Sequence, residues 1–429
     1  MVPTPKHLLD TCLNTCSNRV VVTSSRYADL THGALAGLVP ELLLTGHLID
    51  RAGMAFCIEA FGQQGMTDVA IEEWAGASPL YTRRMQRALR FEGDDVVTIF
   101  KGMQLEIGAP PQFMDFRYSV TDRDHGAFHL DHCGALLDVE PMGESYVRAM
   151  CHDIEDPTFD ATAVATNPRA RVRPVHRPPR HPADRQPHCA WTVTIDADSP
   201  EVQPIPALAV NARSRAAGLE LAEVDRSQPG LADYSGPLVD DVDFAAFSHS
   251  ALVRIADEVC LQMHLLNLSF LLAVRARTTD EATARRIAVR QLTGHAGLTA
   301  ERLHRALGLP ATPEGAARLL ELHPLANPAA YVDLARDGAT VTVRRSPAHE
   351  DGAWIALCGP GSTAPLQAVV RAVDPHLDVE VTGSATEWVA TVVRTDVVAP
   401  EAGEVSIARL SGGARFSFEP RRSLPIFTA

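Results

Sequence analysis

The chain has 429 residues, 46% of them hydrophobic and 21% charged, with a formal net charge of -14. That length predicts more than one ordinary hydrophobic core, and that composition excludes a largely disordered chain. The acidic balance argues against general nucleic-acid binding, which needs a basic surface.

The first residues, Met1 to Asp10, hold no apolar run of signal-peptide length. The longest apolar stretch, Leu261 to Val274, is interrupted by His264 and Asn267 and is too short to span a bilayer. The expectation is therefore a cytoplasmic protein with neither a membrane nor a nucleic-acid partner. In such a compartment the eight cysteines are read as buried thiols or metal ligands rather than disulfides. Cys12 and Cys16, four apart near the N-terminus, have no third cysteine close by to complete a motif.

Along the chain, a helical opening covers Asp29 to about Gly62, then Thr67 to Arg90 with a break near Pro79, then Asp95 to Glu106. Thr31 is the N-cap, its hydroxyl able to satisfy a first-turn amide. Alternating segments follow at Met114 to Thr121 and Ala127 to Asp131. A helix is predicted over Ser145 to Asp153, and strands over Ala170 to Val175 and Ala190 to Ile195. Residues 197 to 242, rich in Pro, Ala and acidic residues, read as a connection. The same order then returns: helices Phe247 to Arg277, Glu281 to Leu307 and Pro313 to Leu322, strands Tyr331 to Leu334 and Thr340 to Arg344, helix Ala364 to Val373, and strands Leu377 to Val381 and Trp388 to Val393. A short tail after Asp396 carries a predicted hairpin at Ser411-Gly412-Gly413.

Residue matches accompany this return. Thr31-His32-Gly33-Ala34-Leu35 recurs as Ser248-His249-Ser250-Ala251-Leu252, offset by 217, and in that register Glu41 meets Glu258 and His47 meets His264. Arg84 and Leu89 match Arg302 and Leu307 at an offset of 218. Cys151 stands seventeen residues before Pro168, as Cys358 does before Pro375. The predicted fold class is α+β: two tandem copies of a helical part plus a small antiparallel sheet with a helix, packed as an intrachain pseudo-dimer. The copies span 25–196 and 243–396, with a linker at 197–242 and a tail at 397–429. The chain is then a monomer built as a pseudo-dimer, or a homodimer.

Only the first copy holds a Cys/His cluster. His129-Leu130-Asp131-His132-Cys133 ends a predicted strand, Cys151 sits on the next helix, His176 leaves a strand, and His188-Cys189 opens another. Thiolate and imidazole suit a transition metal, zinc first and iron or copper as alternatives, and a tetrahedral site needs four such ligands. Cys133, Cys151, His176 and Cys189 form the expected quartet, with His129, His132 and His181 in reserve. The plainer reading is that cysteine packs as a small hydrophobe. Against it, the second copy has Ser346 for Cys133, Gly383 for His176 and nothing for Cys189, keeping only Cys358. Asp153, Glu155 and Asp156 place carboxylates nearby, as a general base or simply as a solvated helix end. His132 and Asp153 are the candidate proton carriers. Arg173 and Arg177, in a local basic stretch, are the candidate contacts for a small anionic substrate. His32 and His47 recur as His249 and His264, and are read as packing or capping.

The run Ala170 to Trp191, with Pro178, Pro179, His181 and Pro182 in its turn and Cys189 before Trp191, resembles an uncharacterised family of small bacterial and archaeal proteins. That family is similar in turn to the aminothiazoline-carboxylate hydrolase-like proteins, and more distantly to vinyl-reductase-type small-molecule-binding domains. Cys133, Cys151 and Cys189 match its cysteines, His176 stands in place of a fourth, and Arg180 replaces its Asp. The resemblance covers roughly residues 45 to 195, with a fainter echo from 262 to 395. It implies a fold and a Cys/His site. The resulting expectation is a metal-dependent hydrolase or lyase acting on a small nitrogen- or sulfur-containing organic acid. The alternatives are an iron- or copper-dependent oxidative enzyme using His129 and His132, and a non-catalytic small-ligand or metal-binding protein.

Overall fold

In the computed structural model, residues 24–429 are described, so Cys12 and Cys16 lie outside the described residues. Helix α1 (His32–Ala75) begins where Thr31 accepts a hydrogen bond from the Ala34 amide, the predicted cap. At Gly62 the backbone turns to φ 72°, a conformation that favours glycine, and α1 is two helices joined end to end there. Helix α2 (Ser78–Ala88) follows with Pro79 in its first turn, and α3 (Val96–Met103) is capped by Asp95.

Strands β1 (Met114–Val120) and β2 (His125–Cys133) form a hairpin. Three short helical pieces come next: α4 (Gly134–Val139), α5 (Glu144–Arg148) and a π-helical turn (Ala149–Ile154) that runs into α6 (Glu155–Ala163). Strands β3 (Ala170–His176) and β4 (Cys189–Ile195) complete an antiparallel sheet of order β1-β2-β4-β3. The connecting region carries α7 (Pro206–Asn211). It is tied to the first helices, with Lys101 donating to the carbonyls of Tyr234 and Gly236, and Asn211 to those of Gly76 and Leu265.

The second set opens with α8 (His249–Arg277), capped by Ser248, then α9 (Glu281–Leu307) and α10 (Pro313–Leu322). Strands β5 (Leu334–Asp337), β6 (Thr340–Val343), β7 (Leu377–Gly383) and β8 (Trp388–Arg394) form a second antiparallel sheet of order β5-β6-β8-β7. Helices α11 (Pro347–Asp351) and α12 (Ala364–Val373) lie between β6 and β7. Strand β5 begins three residues later than expected. The tail forms α13 (Gly403–Ala408) and a 3-10 turn (Gly412–Arg415) instead of a hairpin.

The chain is thus mixed α+β with two four-stranded antiparallel sheets of like strand order. Helix α1 packs along α8 and α9, and one hydrophobic cluster joins Leu38, Leu42 and Ile49 of α1 to Ile255, Val259 and Leu292. Glycines permit the approach: a Cβ on Gly53 would stand 2.9 Å from Gln291 Nε2 and 3.2 Å from Phe270 Cε2. By length and composition α1–α2 and α8 are apolar enough to cross a bilayer, yet most of each apolar window is covered by the rest of the chain.

Several of the recurring residues cross between the two sets. His32 Nε2 donates to the Phe247 carbonyl and His249 Nε2 to the Leu30 carbonyl, both at 2.8 Å. Arg84 forms a fork with Glu258 (2.9 and 3.1 Å), while Arg302 meets Glu41 at 2.6 Å. Glu258 is 1% exposed and is also gripped by Arg254, so loss of its charge strands two guanidinium groups in the core. Glu258→Ala is expected to lower the unfolding free energy by about 3–5 kcal/mol. Urea denaturation checks this, and a loss below about 1 kcal/mol would contradict it.

Candidate functional site

The pleat of the first sheet decides the fate of the expected quartet. Cys189 pairs with Leu130, whereas His176 pairs with Ala190, itself opposite His129. Directly opposed residues share a face and successive residues alternate. Cys189 therefore faces inward with Phe128 and Trp191, and His176 faces outward with His129. The quartet is not assembled, because one strand cannot turn neighbouring positions to the same side.

The three thiols do come together from separate elements. Cys133 at the end of β2, Cys151 in the π-helical turn and Cys189 at the start of β4 are all buried and free. Burial pushes Cys133 up to about 12 and raises Cys151 and Cys189 well above the ordinary thiol value; the nearby Glu155 carboxyl opposes all three ionisations. They are neutral thiols in this state. Cys133 has a local duty, since its Sγ accepts from the Leu136 amide at 3.3 Å and caps α4. Ser346 likewise occupies the N-cap position of α11 after β6. Among the described residues no three His, Cys, Asp or Glu side chains are placed as a metal-binding group.

The proposed proton carriers separate likewise. Asp153 is exposed on the outer side of the π-helical turn, while Glu155, two residues on, is buried. His132 is half-buried, lying over Phe416 with ring centroids 6.1 Å apart. Arg173 is spent on both oxygens of Asp160 (2.9 and 3.0 Å), and Arg177 pairs with Asp156 beside the Trp191 ring.

A different set of residues surrounds a cavity of about 70 Å³ between α1, the loop after α3, and the face of the π-helical turn and α6. Its walls include Trp74, Tyr81, Met150 and Phe159, with His47, Asp50, Arg51, Glu106 and Glu155 among them. Met150, Ile154, Thr158 and Thr162 reach it at four-residue steps, the spacing that keeps side chains on one helix face. A π-turn inside such a helix is rare and frequently accompanies functional sites.

The polar groups on these walls are poorly satisfied. Arg51 is 8% exposed, yet among the described residues its guanidinium hydrogen-bonds no oxygen. Its Nη1 points at Met54 Sδ (3.0 Å) and Nη2 at Met150 Sδ (3.9 Å), while Nε forms loose ion pairs with Asp50 (3.7 Å) and Asp138 (3.8 Å) but no hydrogen bond to either. Buried arginines ordinarily engage most of their five donors. Neither ring nitrogen of His47 has a partner of ordinary geometry among the described residues, the Ile107 backbone offering at most a weak contact. Burial lowers its pKa to about 4, leaving a neutral imidazole. Glu155 Oε2 is likewise unpartnered, and burial raises that carboxyl to about 8. Glu106 is pushed up to about 8 by burial, although Thr82 donates to it at 3.1 Å. Glu73 rises well above the carboxylate range through burial and the neighbouring Asp50.

The second set of elements handles the same places differently. Asn267 and Gln291 stand 217 and 218 residues after Asp50 and Glu73, and they hydrogen-bond each other at 3.1 Å. His264 stands where His47 does, donates to the Asn327 carbonyl at 2.9 Å and packs on Trp354 (5.1 Å). One set is closed by neutral amides and an indole; the other keeps charge and space. Sequence reading took His47 as packing and passed over Arg51. The available signal was a charged Asp50-Arg51 pair inside a long apolar helix, where ionisable residues are rarely buried without a task.

No known protein family, curated protein or solved structure matches this chain.

Proposed function

We propose that the first set of elements is a small-molecule site, with this partly open cavity as its centre and an organic acid as its ligand. Arg51 carries this reading: a guanidinium buried beside a cavity, with no oxygen bound to it, is complementary to a carboxylate fork. At roughly 30 Å³ per water, the cavity holds two waters or the carboxylate end of a ligand. A larger acid requires α6 to move, and the π-helical turn at its head is the natural place for the helix to yield. In a hydrolytic reaction His47 would accept a proton from the attacking water, and Glu155 would donate one to the departing nitrogen or sulfur. The substrate class remains a small nitrogen- or sulfur-containing acid, following the resemblance to aminothiazoline-carboxylate hydrolase-like proteins.

The two sets of elements are read as tandem copies related by an approximate two-fold axis, of which only the first kept a ligand site. The exchanged His32/His249 and Arg84/Arg302 contacts support that arrangement.

The test is binding of acetate, L-cysteine and 2-aminothiazoline-4-carboxylate to the wild-type chain, by thermal shift and by methyl NMR of Met54 and Met150. A shift confined to Met150, on the cavity wall, and Met54, beside Arg51, is expected, and for the thiazoline a slow loss of ring absorbance. If none of the three perturbs either methionine, the reading is wrong.

A second reading keeps a thiophilic metal at the buried thiols Cys133, Cys151 and Cys189, which would have to draw closer to share one ion, since they are not placed as a metal-binding group in this structure. About one zinc, iron or copper per chain in protein purified without added metal, lost in Cys151→Ser, would favour it.

A further inference from the structure

The C-terminal segment reaches back across the molecule to α1 and α4, beside the residues that wall this cavity. After α13, Ser411 Oγ donates to Asp138 Oδ2 at 2.5 Å, and the Gly412 amide donates to Asp138 Oδ1 at 2.8 Å. Arg302, itself held by Glu41, donates to the carbonyls of Gly413 (2.8 Å) and Phe416 (2.9 Å). Gly413 lies so close to α1 that a Cβ there would stand 2.7 Å from Leu48 Cδ2. Phe416 covers Phe113 and His132. Residues 411–416 are therefore a clasp, seated on the first set of elements and fastened by an arginine of the second.

Asp138 is the nearest carboxylate to Arg51 apart from its sequence neighbour. Its Oδ2 is 3.8 Å from Arg51 Nε, too far for a hydrogen bond, and that same oxygen is taken by Ser411. Both oxygens of Asp138 are occupied by the clasp, and Arg51 is left with unengaged donors. A buried guanidinium and a carboxylate less than 4 Å apart close into a hydrogen-bonded pair unless other bonds hold them apart.

We infer that Asp138 is a positioning residue with two alternative partners, and that the clasp decides between them. With the clasp seated, Ser411 and Gly412 hold Asp138 back and Arg51 is open to a ligand carboxylate. With the clasp released, Asp138 moves about an ångström onto Arg51, and the protein's own carboxylate occupies the place of the ligand's. The second set of elements thereby controls the site of the first through its C-terminal extension. This inference rests on Arg51 being the anion-binding group.

The experiment measures binding of acetate and of 2-aminothiazoline-4-carboxylate to the full chain and four variants, each checked for an unchanged melting transition. Ser411→Ala removes one bond to Asp138 and is expected to weaken binding about tenfold, the scale of one charge-assisted hydrogen bond. Ser411→Thr keeps the hydroxyl and binds as the wild type does. Asp138→Ala cannot self-inhibit and binds at least as tightly as the wild type. The deciding variant is the double one: Asp138→Ala in the Ser411→Ala background recovers binding, because the competing carboxylate is gone. A clasp with only a structural role predicts the opposite, further loss in the double variant. Equal affinity of Ser411→Ala and wild type, or no recovery in the double variant, overturns the clasp and leaves the cavity reading standing. Absence of binding to the wild-type chain overturns both.

Discussion

Replacing Arg51 by glutamine is expected to abolish carboxylate binding, raising Kd at least 100-fold, while the protein stays folded. The magnitude follows from removing a bidentate charge-assisted contact, worth about 1.5–3 kcal/mol per bond in a desolvated place. Retention of the fold follows from what Arg51 lacks. Among the described residues it hydrogen-bonds no oxygen, and its closest contact is the Met54 sulfur. Removal of the guanidinium costs Asp50, which is 4% exposed, a counter-ion at 3.7 Å and Asp138 one at 3.8 Å, so a lower melting temperature is expected without loss of the fold. Lysine at 51 keeps the charge but loses the fork, so an intermediate affinity is expected. The check is titration of Arg51→Gln and Arg51→Lys with whichever panel compound binds the wild-type protein. Wild-type affinity in Arg51→Gln would remove the observation on which the functional reading stands.

The second large effect is an unusual dependence of stability on pH. Burial lowers His47, His264 and His295 to about 4 and His323 to about 3. These groups are neutral when folded and protonate near 6.5 when unfolded, so their contribution is complete above pH 6.5 and is lost as pH falls toward 4. Burial acts in the opposite sense on the carboxyls. It raises Glu106 and Glu155 to about 8, Asp257 to about 7, and Glu73 well above its ordinary range. Those groups keep a proton when folded and lose it near 4 when unfolded, so their contribution is complete at acid pH and is lost as pH rises toward 8. Four imidazoles and four carboxyls oppose each other between about pH 4.5 and 6.5, and stability should be nearly flat there. Above 6.5 the histidines fall silent, Asp257 follows near 7, and Glu106 and Glu155 act up to about 8, with Glu73 adding in the same direction. Glu106 and Glu155 each contribute about 1.4 kcal/mol per pH unit, so a loss on the order of 3 kcal/mol per unit is expected between pH 6.5 and 8. Urea denaturation of the ligand-free protein at pH 5, 6.5 and 8 measures this. Equal stability at 6.5 and 8 would show that the cavity carboxyls ionise without penalty. Glu106→Gln should reduce the alkaline loss by up to about half, since it removes one of the two carboxyls raised to about 8.

Such a loss is the mark of a site held in readiness. Carboxyls buried with a guanidinium and a neutral imidazole have no reason to persist in a core that needs only stability, because apolar residues of like volume serve it as well or better. The second set of elements makes the contrast within one chain. There, Asn267 and Gln291 satisfy each other and Trp354 packs against His264. One set holds buried charge beside open space, and the other is closed by amides that satisfy each other.

What the sequence by itself determined was local or periodic. The caps at Thr31 and Ser248, the helix limits at Ala364–Val373 and the strands near 114, 170, 189, 377 and 388 were legible because each depends on neighbours a few residues away. The recurrence of His32, Glu41 and Arg84 as His249, Glu258 and Arg302 was legible as spacing, although not that each reaches across to the other set. Only the tertiary structure decided the site. Whether His176 joins Cys189 depends on strand register, where a single residue reverses the face. Whether Asp153 or Glu155 points inward depends on a π-helical turn that simple 3.6-residue periodicity does not foresee. Arg51 is exceptional only because of what surrounds it, a fact of burial and missing partners that no spacing along the chain encodes.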